Sequence, residues 1–358
     1  MSPTRCVGVC IDLNWTVVHH LAAYSGIRRF AREHGRWEVV VSPFFGADCE
    51  QGGRKPDGVV GRITARGARR AREWGVPAVN VWLNSPAREL PGVFPDMESA
   101  GRMAAEHLLA RGFRRFGLVG NYRNRTTARL LAGVRDRLAE TDDDCSVLRV
   151  PRQYSRNRRT WEAFIQKLHE WVDGFVPPVG VLAKHDRLCR YLMNVCDVQG
   201  LRVPYDVGLV GMFNEPLLCE DLEPTLTSID LAYERVGYQA ARILDDLMAG
   251  RPAPAEPCLV EPAGLVPRRS SDAFVVGDPL VAQALRFMAD HVHERIGVEE
   301  VARHVGTTRS TLGGRFRRAL DRTVSDELAR LRVERAKRLL SESDDNLYAV
   351  ATACRSEE

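Results

Sequence analysis

The stretch Ser99–Gly120, SAGRMAAEHLLARGFRRFGLVG, decides the fold class. Met103, His107 and Leu108 fall along one side of a helix over Ser99–Arg111, and Gly112 is the residue type that stops one. Arg115–Gly120 then begins a short apolar run with the composition of a buried strand. A helix giving way to a buried strand within a few residues is the unit of α/β architecture.

The alternation continues in both directions. Upstream, Val7–Leu13, Trp37–Val41, Gly58–Ile63 and Pro77–Trp82 read as strands. Between them lie helices Val18–His34, with Leu21, Tyr24, Ile27, Arg28 and Ala31 near one face, and Ala65–Trp74. Downstream, helices are expected over Thr127–Leu138, Arg158–Trp171, Arg187–Gln199 and Val236–Ala249, the last ended by Gly250-Arg251-Pro252. Strands are expected over Val147–Val150, Val179–Ala183, Val207–Met212, Thr225–Leu231, Cys258–Glu261 and Leu265–Arg268. This rhythm predicts an α/β domain over residues 1–267, its parallel sheets covered on both faces by helices. RRSSDAFVVGDP (268–279) has the Ser, Asp, Gly and Pro mix of an interdomain linker.

Past the linker the periodicity becomes purely helical. In VEEVARHVGTTRSTLGGRFRRAL (298–320), Val298, Val301, Ala302 and Val305 give a short helix one buried face. Gly306 suits a left-handed turn, and Thr307 or Thr308 would cap a second helix with Leu312 and Phe316 inward. Thr308, Arg309, Ser310, Thr311 and Arg315 are left near its exposed N-terminal end, and Arg317 and Arg318 follow. Two short helices about a tight turn, the second polar and basic at its front, have the form of a helix-turn-helix; an ordinary αα-hairpin satisfies the same pattern.

At 358 residues the chain suits two or three domains, and 44% hydrophobic residues are ample for packed cores. The net charge of +4 does not by itself announce nucleic acid. Its distribution says more: between Arg303 and Arg338 eleven Lys or Arg face four Asp or Glu, a net of +7. Met1–Thr4 leads into an apolar run broken by Gly8 and Asp12, without a cleavage-site pattern, and no apolar segment is long enough to span a bilayer. The nine cysteines are scattered, and neither Cys6 with Cys10 nor Cys189 with Cys196 has metal or redox spacing. A cytoplasmic protein without metal or cofactor is expected.

Two sets of motifs resemble known families. "STL…RFRRAL…RVERAKRLL", within residues 278–354, resembles the AraC/XylS family of transcription regulators, where one helix-turn-helix, a long linker helix and a second helix-turn-helix follow in order. "PDGVVGRI" (56–63), "AAEHLLARGFRRFGLVG" (104–120), "VGVLAKHD" (179–186), "GLRVPYDVGLVGMFNE" (200–215) and "LTSIDLAYERVGYQAARILDDLMAG" (226–250) are similar to the ligand-binding core of LacI/GalR-type repressors. That resemblance implies a two-lobed periplasmic-binding-protein-like fold. The combination resembles the xylose-operon activator family, and implies an effector-binding domain over 1–267, a linker over 268–279 and an AraC-type DNA-binding domain over 280–358.

In such a core a sugar is held by Asp, Asn, Arg and an aromatic face. The resemblance implies effector contacts at Asp96, His185, Asp186 and Asn214; each Asp precedes a helix, and a helix N-cap suits Asp186 as well as a ligand role, whereas Asp96 reads as a ligand. Two positions depart from the family pattern. Phe213 stands where a sugar-binding Asp is usual, and Leu130 where an Arg is usual, leaving Arg129 as the nearest candidate. An aromatic at 213 cannot accept hydroxyl hydrogen bonds, so xylose itself is not expected as the effector. The pair His19-His20 falls among cleft-lining positions and has no third ligand at metal spacing.

The C-terminal half also departs. Leu347–Cys354 matches the first helix of a second helix-turn-helix, whose recognition helix is missing from the sequence. Gly313 and Gly314 sit inside the first recognition helix, each costing about 1 kcal/mol relative to Ala. The expected function is a DNA-binding transcription regulator controlled by a small-molecule, sugar-type effector and acting on double-stranded DNA as a homodimer, with no membrane partner. The alternative is an effector-binding protein whose operator recognition is lost or weakened. No nucleophile elbow, metal constellation or Gly-rich phosphate loop points to an enzyme.

Overall fold

A computed structural model describes residues 4–13, 18–34, 37–43, 45, 54–141, 143–221, 223–273 and 275–342. The chain forms two compact units, Met1–Asp272 and Ala273–Glu358.

The first unit has two lobes. Lobe 1 begins with β1 (Arg5–Cys10), α1 (Val18–His34), β2 (Trp37–Val41), β3 (Gly58–Gly61), α2 (Ala65–Glu73), β4 (Ala78–Asn80) and β5 (Val93–Pro95). Its parallel sheet has the order β2-β1-β3-β4, and a bridge from Asn80 to Gly92 leads on towards β5. Then α3 (Met97–Leu109) carries the chain into lobe 2. That lobe holds β6 (Phe116–Asn121), α4 (Arg125–Ala139), β7 (Cys145–Val150), α5 (Arg158–Asp173), β8 (Val179–Ala183), α6 (Asp186–Val198), β9 (Val207–Met212), α7 (Pro216–Cys219) and β10 (Thr227–Asp230). The chain returns through α8 (Tyr233–Met248), which packs on α1, and β11 (Cys258–Val260), which pairs in parallel with β5. It crosses once more into β12 (Gly264–Val266), antiparallel to β10 at the edge of the sheet β12-β10-β9-β8-β6-β7.

Strands β6, β8 and β9 are buried along their whole length, because helices cover both faces of a parallel sheet. The chain thus passes between the lobes three times, at Asp96, at Leu231–Ala232 and at Glu261–Ala263. Hydrogen bonds tie these crossings together: Asp96 N to Val260 O at 2.8 Å and Ala263 N to Asp230 O at 2.8 Å.

Each lobe is locked by a helix pair at backbone contact. A Cβ on Gly26 of α1 would lie 1.9 Å from Glu234 O, and one on Gly237 of α8 would lie 1.9 Å from Ala23 O. In lobe 2 a Cβ on Gly101 of α3 would meet Leu130 O at 2.2 Å, and one on Gly133 of α4 would meet Glu98 O at 1.9 Å. Such approach leaves no room for a methyl group. It also moves the buried stripe of α1. His20, Ala23, Gly26, Ile27, Phe30 and Ala31 are inside, whereas Leu21, expected on the inner face, is 52% exposed.

The expected linker starts later than its composition indicated. Residues Arg269–Ser271 form a turn of 3₁₀ helix in lobe 2, where Ser270 Oγ donates to Leu209 O at 2.7 Å and Ser271 Oγ contacts Thr227 Oγ1 at 2.7 Å. Both serines are fully buried, so polar composition here reflects interior hydrogen bonding.

The second unit has α9 (Pro279–Asp290), α10 (Val298–His304), α11 (Arg309–Leu320) and α12 (Val324–Glu342) among its described residues. Asp278 caps α9 by accepting from Leu280 N and Val281 N, and Thr308 caps α11 by accepting from Thr311 N. Gly306 turns left-handed at φ 68° between α10 and α11, as its position in the sequence implies. Leu312 and Phe316 are fully buried against Val281, Met288, Val301 and Leu328. Glu327 is buried with two guanidinium partners, Arg322 at 2.9 Å and Arg330 at 2.7 Å. Leu347–Cys354, read as the start of a second helix-turn-helix, lies outside the described residues.

Glycine substitutions separate tight from open helix faces. Gly26→Ala is expected to destabilise the first unit by about 3 kcal/mol, since backbone must move to admit the methyl group. Gly314→Ala meets nothing within 4 Å and is expected to stabilise the second unit by about 1 kcal/mol. Calorimetric unfolding of the two variants checks both signs; equal effects would contradict this packing.

Candidate functional site

The lobes face one another across a cleft whose floor is the set of crossings. An aromatic cluster joins them. The His19 ring, from α1 of lobe 1, stacks on Phe213 at the end of β9 with centroids 4.6 Å apart. Tyr233, the first residue of α8, lies 4.8 Å from His19 and 5.8 Å from Phe213. The backbone holds this arrangement under strain: Phe213, Asn214 and Ala232 take φ of 92°, 50° and 54°, a region costly for residues with side chains. Phe213 N donates to Ile229 O at 2.9 Å and Asn214 N to Ser228 Oγ at 3.0 Å, which fixes the turn.

Basic groups surround the cluster from both sides. In lobe 1, Arg62 Nη1 donates to His20 Nε2 at 2.8 Å, while His20 Nδ1 donates to Asp12 O at 3.1 Å. With Nδ1–H given to a carbonyl and Nε2 accepting, His20 is neutral, and burial lowers its pKa. The Arg62 guanidinium also lies 4.9 Å above the Trp82 ring, and Arg152 of lobe 2 covers the same ring at 5.7 Å. In lobe 2, Lys184 Nζ donates to Asn121 Oδ1 at 2.8 Å. Burial, then the Arg152 charge, lowers the Lys184 ammonium to about 8. His19 is held well below its ordinary range by burial, then by His20, Arg62, His185 and Lys184. His19 Nδ1 and Asn214 Oδ1 are buried without a hydrogen-bond partner among the described residues.

A latch spans the cleft edge. Arg125 Nη1 donates to Leu83 O at 2.8 Å, Arg125 N to Asn84 Oδ1 at 2.8 Å, and Asn84 Nδ2 to Thr126 Oγ1 at 2.8 Å. These bonds join the end of lobe 1's sheet to the first turn of α4.

The residues singled out in the sequence are only partly brought together here. Phe213 and Asn214 are in the cleft. His185 is beside it, capping α6 by accepting at Nδ1 from Leu188 N at 3.3 Å; burial, then Lys184 and Arg187, lowers it to about 3, leaving a neutral ring that donates through Nε2. Asp186 is not available to a ligand. It is fully buried, Oδ1 accepting from Ser228 Oγ at 2.6 Å and Oδ2 from Glu215 N at 3.0 Å, and burial pushes its carboxyl up to about 7. Asp96 caps α3, one oxygen accepting from Glu98 N and Ser99 N at 3.0 and 3.1 Å. Arg129 pairs with Glu98 across α3 and α4 at 3.8 Å; the arginine of that helix at the cleft is Arg125, one turn earlier. Arg62 lies within PDGVVGRI and Lys184 within VGVLAKHD, but neither segment indicates that they converge with Trp82 and Arg152.

In the second unit, Thr308, Arg309, Ser310, Thr311, Arg315, Arg317 and Arg318 are all exposed on α11 or its cap. Two of these cations have partners within the unit: Arg315 Nη1 donates to both carboxylate oxygens of Asp278 at 3.1 Å, and Arg309 lies 3.8 Å from Glu299. The strip formed by Gly313 and Gly314 offers no side chain.

Comparison with known proteins agrees with the two-lobed fold. Residues 105–271 match the periplasmic binding protein-like domain. The chain is homologous to the xylose operon regulatory protein of Haemophilus influenzae, 30% identical over 196 residues, which is 55% of this chain and 51% of that protein. It thus spans about half the length of the curated relatives it matches. The solved structure of a xylose-binding transcription activator, xylR, superimposes with a TM-score of 0.74 at 22% identity, covering 99% of this chain and 92% of that one. A LacI family regulator from Enterococcus faecium with bound ribose gives 0.60 at 18% identity, covering 76% and 100%. The likeness to the solved structures is one of fold. The described residues include no helix long and apolar enough to cross a membrane.

Asp186 generates a pH prediction. Its folded pKa of about 7 exceeds the model-peptide value of 3.8, so folding takes up a proton between the two. Its contribution favours folding most below that lower value and is lost as pH rises through 7. Relative to wild type, Asp186→Asn should flatten the pH dependence of unfolding by about one proton over this range. Melting curves between mildly acidic and neutral pH read the difference; parallel curves would refute it.

Proposed function

We propose that the chain is a small-molecule-responsive transcription regulator. A polyhydroxylated, sugar-type effector binds in the interlobe cleft, and an AraC-type helix-turn-helix, α10 and α11, contacts double-stranded DNA. The observation carrying the reading is the pairing of a two-lobed periplasmic-binding-protein-like unit with a helical unit that turns at Gly306 and exposes Thr308, Arg309, Ser310, Thr311, Arg317 and Arg318. The relatives named above are regulators of a xylose operon, which supports it.

In this reading the first turn of α11 enters the major groove, and the arginines neutralise phosphates. Closure of the lobes on effector, through the crossings at Asp96, Ala232 and Glu261–Ala263, changes the free energy of the state that presents the DNA-binding helices. The protein acts in the cytoplasm as a homodimer, giving one reading head per half-site. A second reading, an effector binder with weakened operator recognition, is favoured by one feature: Gly313 and Gly314 remove side chains from the recognition helix, and Arg315 is engaged by Asp278.

Footprinting on DNA from upstream of its own gene, at low and moderate salt, tests the proposal. A discrete protected site is expected, and Arg318→Ala should weaken binding to all sequences while reducing the salt slope by about one. Diffuse binding that disappears with salt would instead select the second reading.

A further inference from the structure

The cationic side chains Arg62, Arg152 and Lys184 bring the cleft hydrogen-bond donors that cannot act as acceptors. Neutral sugars need both, because each hydroxyl donates as well as accepts. Of the two aspartates singled out in the sequence, Asp186 is buried with both oxygens bonded and Asp96 caps α3 through one oxygen, while the Phe213 ring accepts no hydroxyl hydrogen bond. At the cleft are instead Arg62 of lobe 1 and Arg152 of lobe 2, both over the Trp82 ring, and Lys184, whose ammonium has Asn121 as its hydrogen-bond partner. Asp12 is the carboxylate that acts on Arg62 and His20. For Lys184 the leading charge is Arg152, and for His19 the leading charges are all basic groups.

Holding like charges together in a half-buried cleft is costly unless an anion joins them. The neutral donors and flat faces around them match the remainder of such a ligand. His185 offers Nε2–H, Asn214 offers an amide, and the His19, Phe213 and Tyr233 rings can stack on a carbon skeleton. The unpartnered His19 Nδ1 and Asn214 Oδ1 await hydroxyl donors.

We infer that the effector is an acidic sugar derivative, with a phosphate or carboxylate seated among Lys184, Arg62 and Arg152 and its hydroxyl-bearing skeleton lying on the aromatic cluster. The inference rests on the reading of the cleft as an effector site and specifies the ligand's chemistry. An acceptor-only group matches cationic N–H donors, and charge-assisted hydrogen bonds from ammonium and guanidinium supply most of the selectivity.

Calorimetric titration of the full chain tests it with matched pairs: ribose against ribose 5-phosphate, and glucose against glucuronate, with inorganic phosphate and xylose alongside. One acidic sugar is expected to bind at least about tenfold more tightly than its neutral partner, and Lys184→Gln to weaken it by about tenfold. Arg152→Gln, at an exposed position, should act in the same direction and guards against misfolding of the first variant. The phosphate and carboxylate arms tell which acid is used. Equal or tighter binding of the neutral partner overturns the inference, as does inorganic phosphate binding as tightly as the phosphosugar. If xylose or another neutral sugar binds and alters the footprint, the regulator reading stands and the acidic effector falls; if no sugar of either kind binds, the effector reading of the cleft falls with it.

Discussion

Backbone contact between paired helices is the constraint on which the first unit depends. Gly26 of α1 accepts the carbonyl of Glu234, and Gly237 of α8 the carbonyl of Ala23, so the first and last helices of lobe 1 interlock reciprocally. The partner helix arrives only after the chain has built most of lobe 2. Lobe 1 is therefore completed by a returning segment, and the crossings that form the cleft floor follow from that connectivity. Gly101 and Gly133 repeat the device between α3 and α4. Both pairs set the crossings' ends: α3 begins at Met97 and α8 at Tyr233, each directly after a crossing.

That geometry decides what the cleft can bind. Tyr233 comes to the cleft because α8 starts at the crossing, and the left-handed residues Phe213, Asn214 and Ala232 turn the surrounding backbone so that His19, Phe213 and Tyr233 meet. The acids near the crossings are spent on structure, Asp96 and Asp230 on caps and turns, Asp186 on fixing Ser228 and Glu215. Bases are what remain for a ligand. A fold shared with sugar-binding regulators is thus compatible with a different charge preference, because the fold sets where the side chains converge and the residues set their chemistry.

The second unit is held by a compact apolar centre and one buried carboxylate. Glu327 draws Arg322 and Arg330 to the start of α12, which leaves Arg317 and Arg318 exposed on the preceding helix. The basic excess of this region therefore divides into cations that staple the unit and cations that face solvent. Net charge alone does not make that division.

Much of the fold could be read in the chain without coordinates. The helix at Val18–His34 has the bounds expected of it, and strands β6, β8 and β9 occur where unbroken apolar runs were quoted. So do the Gly306 turn and the inward Leu312 and Phe316. Periodicity and turn chemistry are local, and local signals survive folding. Short β5, three residues ending in Pro95, was missed, and Leu21 was misplaced because a glycine contact, invisible to hydrophobicity, set the inner face of α1. At Asp96 the residue type fits both a cap and a ligand, and the hydrogen bonds from Glu98 N and Ser99 N show that it caps α3. The convergence of Arg62, Trp82, Arg152 and Lys184 belongs wholly to the tertiary structure, since residues this far apart in sequence become neighbours only when two lobes close on a shared set of crossings.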